Sequence, residues 1–545
     1  MMGKYKVKYF IIIFWILIFP VALYFFDKYI PVNISLNLLI LLFFIALLLY
    51  AIYVYSNKKI RIFIIGLLII SIIPSFFIIS AFSITNTIYH RSDFDVIFTT
   101  DLDESLEFIH QFVNFKIIML LIAYFGPMPL FFKMKDIQME LNNNKRKLIV
   151  MGSFLVLILI FTVNWKLLQK EYHVVDFYKS YYQFINNKNY EIIKAKRADL
   201  KWEDKVTCDL KIREHKLYVL VIGESLSRAH MQIYGYQRET NPQLIKIKDE
   251  LYIFNNVISP AVTTVDVMKY VLSFANLDHP EYFIEKRNVV NLFNDVGFET
   301  IWIGNQSLRG NRNNVSHSIV ARECNQYYDV SSETDEVVIN KLDTVLTDEP
   351  HKNLFIIIHL RGCHTKYSSR YSDIFNYFNH KKIPIPYDYG LDDKQKLIID
   401  EYDNSVRFND YIIYSIIKRV KSHCKYAWVV YFSDHGEELF EFRNMFGHNS
   451  RNFSKYMCEI PFIVWVSNEY KNANKSFFED IPKYLNRAYS TENVIYSIAD
   501  LSKLKFTDFD ASLSIFSKQY TNHLRKVYNI EYEKIPPITT VNGFK

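Results

Sequence analysis

The sequence predicts an α-helical membrane domain of five spans followed by one α/β domain with a mostly parallel sheet. Three observations predict it. Five long apolar segments crowd the first third of the chain. Beyond them, short apolar runs alternate with amphipathic stretches, the pattern of a sheet covered by helices on both faces. Three of those runs end abruptly on Glu, Asp or His, at the strand ends where α/β domains gather their functional groups.

The apolar segments cover residues 10–26, 34–54, 62–82, 117–132 and 148–165. A membrane-spanning helix needs about 20 mostly apolar residues. The first and fourth segments carry Pro20, Pro127 and Pro129, which spans tolerate where neighbours satisfy the freed backbone groups. The first has no small-residue cleavage pattern and reads as an anchor. Orientation follows the basic residues. Lys4, Lys6, Lys8, Lys58, Lys59, Arg61, Lys133, Lys135, Lys145, Arg146 and Lys147 fall on one side, against Lys28, Arg91 and Lys116 on the other. This expects a cytoplasmic N-terminus, a membrane domain over residues 1–168 and everything after Trp165 outside. The outer segment 83–115 holds FDVIFTTDLDESLEFI, whose apolar residues recur at helical spacing. Such a stretch can lie in the interface plane, with Thr100, Asp101 and Glu104 at headgroup depth; the plain alternative is a loop with a surface helix.

Residues 169–210 are polar and Tyr-rich and read as bridging helices along the membrane surface. Residues 211–545 form the α/β domain. Its buried-strand candidates are 217–222, 300–303, 354–359, 427–432 and 462–466, with helices expected at 242–248, 265–276, 289–296, 394–421 and 490–499. The formal net charge of +7 comes without a long Lys/Arg block, which excludes a nucleic-acid partner. Among the five cysteines there is no CxxC pair, so zinc-ribbon and thioredoxin readings fall away, while one or two disulfides of unreadable pairing stay open.

The chemistry gathers at three strand ends. Run 217–222 ends at Gly223-Glu224-Ser225, run 354–359 at His359 with His364 following, and run 427–432 at Ser433-Asp434-His435; His448 lies on a loop shortly afterwards. Two carboxylates and an imidazole make an O, O, N ligand set with one position open. That set fits catalytic zinc, and its oxygen content also suits manganese. Each residue has a bland counterpart: Glu224 as an acid at a helix N-terminus, Asp434 and His435 as a satisfied buried pair, and His359 as a core histidine.

The run GESLSRAHMQIYGYQRETNPQL, residues 223–244, resembles the signature of the bacterial phosphoethanolamine transferases of the alkaline-phosphatase/sulfatase superfamily. SDHGEEL, HLRGCH and FGH resemble that family's other blocks, and five spans before an outer catalytic domain match its layout. The resemblance implies an alkaline-phosphatase/sulfatase-like fold and an enzyme of the bacterial inner membrane with its catalytic domain in the periplasm. It implies zinc on Glu224, Asp434 and His435, with Thr264 as fourth ligand and nucleophile. Thr263 competes for that role in SPAVTTVDVMKYVLSFAN. His364 and His448 match histidines at the phosphate, His359 is a further substrate-side candidate, and a second metal ion is possible there.

Thr100 and Glu104 match headgroup-contacting positions, although the family's asparagine four residues before that threonine is Val96 here. The lipid A modifying members, including those behind polymyxin resistance, usually carry Cys-Gly-Thr before the nucleophile. This chain has Ala261-Val262-Thr263-Thr264, closer to members that modify core sugars, and the difference argues against carrying over that family's disulfides. The implied reaction moves phosphoethanolamine from phosphatidylethanolamine to a lipopolysaccharide or lipooligosaccharide acceptor, core sugar or lipid A, by a monomer working at the bilayer. Rivals on the same fold are glycerol-phosphate transfer and a plain sulfatase or phosphatase. A non-catalytic membrane scaffold is the remote alternative.

Overall fold

Five apolar runs of the second half become adjacent strands because both of their faces are covered. β1 (Lys216–Gly223), β3 (Glu299–Gly304), β5 (Leu354–His359), β6 (Tyr426–Ser433) and β7 (Phe462–Val466) join two edge strands, β2 (Leu251–Phe254) and β4 (Gln326–Asp329). Their order is β2-β7-β6-β1-β5-β3-β4, with β7 antiparallel to both neighbours and the pairs from β6 to β4 parallel. The computed structural model describes residues 2–27, 30–85, 115–129, 142–186, 205–209, 212–308, 316–388 and 390–537, with residues 88, 113, 193, 195–197 and 200 between them. Its contacts divide the chain into two units, 1–187 and 188–545.

In the first unit, α1 (Met2–Ala22), α2 (Val32–Tyr55), α3 (Lys58–Thr85) and α5 (Asn143–Val163) belong to helices long and apolar enough to cross a membrane. The fourth apolar segment holds the helix α4 (Phe115–Phe125), of 11 residues, followed by a turn over 126–128, and its end lies outside the described residues. Pro127 has no N–H to continue the ladder. Three hydroxyls of α3 are satisfied locally: Ser71, Ser75 and Ser83 donate to carbonyls three or four residues back. The Arg61 guanidinium covers the end of α2 by donating to the carbonyls of Tyr53 and Val54. α6 (Trp165–Glu171) and α7 (His173–Asn186) also belong to this unit, with Leu168, Tyr172 and Phe177 in its core. The amphipathic segment with Thr100 and Glu104 lies outside the described residues.

In the second unit, alternate strand residues feed two cores, as the strand period of two requires. Tyr218, Leu220, Trp428, Val430, Phe355 and Trp302 enter one, under α9 (Thr264–Val271), α10 (Val289–Asp295) and α13 (Val494–Leu501). Leu217, Val219, Val429, Ile356 and Ile301 enter the other, under α11 (Glu336–Asp348) and α12 (Asp393–His423). Tyr218 stacks on Trp428 with ring centroids 4.8 Å apart. Truncating a buried aromatic of this kind costs about 3–5 kcal/mol.

α12 has 31 residues and opens on a capping box between Asp392 and Gln395. Its sheet-facing side is polar as well as apolar. The Tyr402 hydroxyl donates to the Ser225 carbonyl (2.8 Å) and accepts from the Ser227 N–H (2.9 Å). Asp410 accepts the N–H groups of Gln243 and Leu244 at the start of α8 (Pro242–Lys246). Between them Asp403 takes three donors: His230 Nδ1 at 2.6 Å, the Tyr236 hydroxyl at 2.9 Å and Arg238 Nη1 at 2.8 Å. These bonds pin the chain that leaves β1, and so the strand end carrying Glu224.

His230 is fully buried, and its Nε2 lies 2.9 Å from Glu441. Burial alone would lower its pKa, but Asp403 and Glu441 outweigh that and raise it from 6.5 to about 9. A pKa raised in the fold gives stability that is fully present below 6.5 and is lost as pH rises through 9. At 1.36 kcal/mol per unit, the loss amounts to about 3 kcal/mol. The thermal midpoint of the full chain in detergent is therefore expected to fall across that window, and His230→Gln to lack that part of the slope. An equal slope in the variant would refute the assignment.

Candidate metal centre

The parallel pairing of β1 with β6 puts Gly223 level with Ser433, so the next residues on both strands turn out at one edge of the sheet. Glu224, Asp434 and His435 meet there, each at most 1% exposed, and their ligand atoms lie within 4.8 Å of one another. Two local features make the turn possible. Ser225 adopts a left-handed backbone, φ 60°, which lets its N–H reach Asp434 Oδ1 (3.1 Å) while its hydroxyl donates to Glu224 Oε1 (2.9 Å). Gly362, φ 52°, passes so close that a Cβ there would sit 2.6 Å from the Glu224 carbonyl oxygen.

The cluster balances its charge only by keeping protons on two of its three groups, His435 and Asp434. His435 Nδ1 pairs with the Gly436 carbonyl (3.0 Å), which turns Nε2 towards Glu224 Oε1 and Asp434 Oδ2, at 3.4 and 3.6 Å. Asp434 Oδ2 and His435 Nε2 are buried without a hydrogen-bond partner. Burial works against the imidazolium, yet Asp434 and Glu224 raise the His435 pKa to about 10. Burial and the Glu224 charge push Asp434 up to about 8. Burial also opposes ionisation of Glu224, but the hydrogen bond and charge of His435, with His364 and His359, hold it well below the usual range. At neutral pH one imidazolium and one carboxylate thus face a second carboxyl, Asp434, that burial and the Glu224 charge hold protonated. A divalent cation would let both carboxyl groups ionise and leave Nε2 as a lone-pair ligand, so the donor set and its orphaned atoms fit such an ion.

Thr264 opens α9, and its Oγ1 donates to Glu224 Oε2 at 2.9 Å. Thr263 turns away, its hydroxyl donating to Asp266 Oδ2 at 2.8 Å. The His448 ring lies 4.3 Å from that of His435, and its Nδ1 pairs with the buried Glu437 (3.1 Å), which also accepts the Tyr367 hydroxyl. His364 is half-buried on the loop after β5, with its charge felt at Glu224. His359, at the end of β5, is fully buried between the rings of Trp302 and His317. The structure therefore gathers Glu224, Thr264, Asp434 and His435, rings them with His364 and His448, and buries His359 behind.

Three residues that sequence reasoning passed over complete the surroundings. Gln306, from the loop after β3, donates to Glu224 Oε2 (2.8 Å) and to the Leu360 carbonyl (3.1 Å). Asp335 accepts the N–H groups of Arg361 and Gly362 and so fixes the start of the His364 loop. Glu437 holds His448. Gln306 follows an apolar run and a Gly-Asn pair, a signal of the same kind as the other strand ends; Asp335 carried none. All five cysteines are unpaired.

The sulfatase family matches residues 216–504. Phosphoethanolamine transferase EptC of Escherichia coli (strain K12) is 32% identical over 342 residues, covering 59% of this chain and 58% of that protein. The chain thus spans little more than half the length of that relative. The C-terminal periplasmic domain of Escherichia coli EptC in complex with Zn is 30% identical, with a TM-score of 0.58 over 64% of this chain and 100% of that one. The integral membrane lipooligosaccharide phosphoethanolamine transferase A of Neisseria meningitidis shares the fold across 94% of this chain and 97% of its own, with a TM-score of 0.63 at 18% identity.

Glu224→Gln and Asp434→Asn each remove one charge from the donor set while keeping its shape. Protein purified with zinc is expected to carry a tightly held ion, and each variant to lose most of it, as elemental analysis after gel filtration would read. Unchanged metal content in both variants would exclude these residues as ligands.

Proposed function

We propose that this chain, which belongs to the sulfatase family and to its phosphoethanolamine transferase branch, moves phosphoethanolamine from phosphatidylethanolamine to a lipopolysaccharide or lipooligosaccharide acceptor. The observation that carries the reading is the Thr264 hydroxyl at the first turn of α9, hydrogen-bonded to a carboxylate of the three-residue ligand cluster. Glu224, Asp434, His435 and the Thr264 oxygen would hold zinc, with manganese the second choice on donor chemistry. When bound, the ion supplies Lewis-acid charge that favours an ionised hydroxyl and offsets charge developing on phosphate oxygens.

The residues then divide the work. Thr264 Oγ attacks the donor phosphorus as its proton passes to solvent; the Glu224 carboxylate it bonds, held well below the usual range, orients the hydroxyl. A bond from Oγ to phosphorus forms, the bond to the diacylglycerol oxygen breaks, and that oxygen takes a proton from His448 Nε2. Glu437 holds the opposite nitrogen of that ring and so sets which one faces the reaction. In the second half the acceptor oxygen attacks the phosphothreonine and gives its proton to His448, while the bond from phosphorus to Thr264 Oγ breaks and that oxygen regains a proton from solvent. His364, on the loop across the site, suits a bond to a phosphate oxygen, and the N-terminus of α9 adds backbone N–H groups. Thr100 and Glu104 are the candidates for the donor headgroup, and His359 supports the site from behind.

Membrane anchoring suits a reaction whose donor and acceptor are both lipids. The basic-residue distribution puts the second unit in the periplasm, where such an acceptor passes. Thr264→Ala is expected to abolish both diacylglycerol release and phosphoethanolamine transfer while the fold persists. Phosphoethanolamine on Thr264 of the wild type, seen by peptide mass spectrometry after donor is added without acceptor, is the positive sign. Full transfer by Thr264→Ala would sink the reading, and turnover of phosphatidylglycerol in place of phosphatidylethanolamine would redirect it to glycerol-phosphate transfer.

A further inference from the structure

The loop that delivers Thr264, residues 259–263, contains no cysteine and no charged side chain. It has little of its own with which to hold a hydroxyl in place. A displacement of about 1 Å at a reacting atom is enough to cost roughly 10²-fold in rate. Ser259 fastens its start, with its N–H on the Cys458 carbonyl (2.9 Å) and its hydroxyl on the Ala261 carbonyl (2.6 Å), and the part next to Thr264 is held from the far end of the chain. The hairpin of strands Lys526–Val527 and Ile530–Glu531 lies against it. The Tyr528 N–H donates to the Pro260 carbonyl at 2.8 Å. The Tyr528 hydroxyl accepts the Val262 N–H at 3.3 Å and donates to Asp266 Oδ2 at 3.1 Å. That same Asp266 oxygen receives the Thr263 hydroxyl.

The hairpin is itself well held. Val527 is fully buried in a small apolar cluster with Ile258, Val262, Met457 and Cys458. Tyr528 takes a left-handed backbone, φ 52°, a conformation few side chains adopt without surrounding support. Burial and the neighbouring Asp266 keep its phenol protonated, so it can donate. Residues 262, 263 and 266 are thereby tied down on one side of the helix start, while the Thr264 side chain projects the other way, to Glu224.

We propose that the C-terminal hairpin braces the nucleophile, with Tyr528 as a positioning residue that acts through Val262 and Asp266. The brace sets the azimuth of the first turn of α9, so that Thr264 rather than Thr263 presents its hydroxyl to Glu224. Tyr528 touches neither ligand cluster nor phosphate, and its effect is one of aim. The proposal rests on Thr264 being the nucleophile. Tyr528→Phe tests it sharply, because the ring and its packing remain while both hydroxyl bonds are lost.

Full-length wild type, Tyr528→Phe, Asp266→Ala and the double variant are compared in detergent micelles containing phosphatidylethanolamine. The readouts are bound zinc, KM, kcat and amide hydrogen exchange over residues 260–268. Tyr528→Phe is expected to lower kcat by about 10–100-fold with KM and zinc content unchanged, and to speed exchange in that segment alone. Asp266→Ala, which removes the acceptor, should behave alike, and the double variant should add little, since both act through one contact. Wild-type kcat and exchange in Tyr528→Phe would overturn the brace, as would a fall in kcat matched by loss of zinc or of protection throughout the second unit. If Thr264→Ala stays active, the nucleophile assignment fails by itself, and exchange over 260–268 then decides the brace alone.

Discussion

The register between β1 and β6 is the constraint on which the rest of the site depends. Because Gly223 pairs with Ser433, Glu224 and Asp434 leave the sheet at the same level, and His435 follows directly. A slip of one residue would reverse every side chain on the strand, exchanging the two cores and turning the carboxylate away. Trp428, Tyr218 and their alternating neighbours therefore do more than stabilise the sheet. Their sorting to two faces fixes which atoms face the cluster. The resulting concentration of charge is costly to bury, and it is tolerated because Ser225, Gln306 and Thr264 each give the Glu224 carboxylate a hydrogen bond.

A second layer of polar contacts keeps that strand end from relaxing. α12 presents Tyr402, Asp403 and Asp410 to the chain after β1, each buried and each bonded to it. A purely apolar helix face would pack the sheet as tightly, but it would leave the backbone of residues 225–244 without directional partners. The His230, Tyr236 and Arg238 contacts to Asp403 convert a loop into a fixed frame, because a buried network with every member bonded has few alternative arrangements.

The sheet was legible in the sequence where strands are buried on both faces. All five expected runs are strands, and 354–359 and 462–466 agree to the residue. The two missed strands of this sheet are its edges: LYIF is apolar but only four residues long, and QYYD is part-exposed with polar residues at both ends. α11 was also missed, and α13 starts at Val494, after a 3₁₀ turn, rather than at 490. Strand-end acids and histidines stand out because a polar cluster after an apolar run is hard to explain as packing. The choice between Thr263 and Thr264 is different, since one step along a helix turns a side chain by about 100°. Only the contacts of Thr263 with Asp266 and Thr264 with Glu224 separate them. Asp335 and Tyr528 reach partners far away in the sequence, and no local pattern encodes such meetings.

The architecture separates what is rigid from what is aimed. Glu224, Asp434 and His435 stand on the ends of central strands, the part of the fold with the fewest ways to move. Thr264 stands on a short helix start reached by a loop, an element free to take several azimuths unless something chooses one. Under the proposed reaction, that residue alone gains and loses a substituent, so it cannot be locked by packing its own side chain. Fixing its neighbours and leaving its hydroxyl open resolves the conflict. The bonds from Tyr528 and Thr263 to Asp266, on the side away from Glu224, do this without filling the space a phosphate would need.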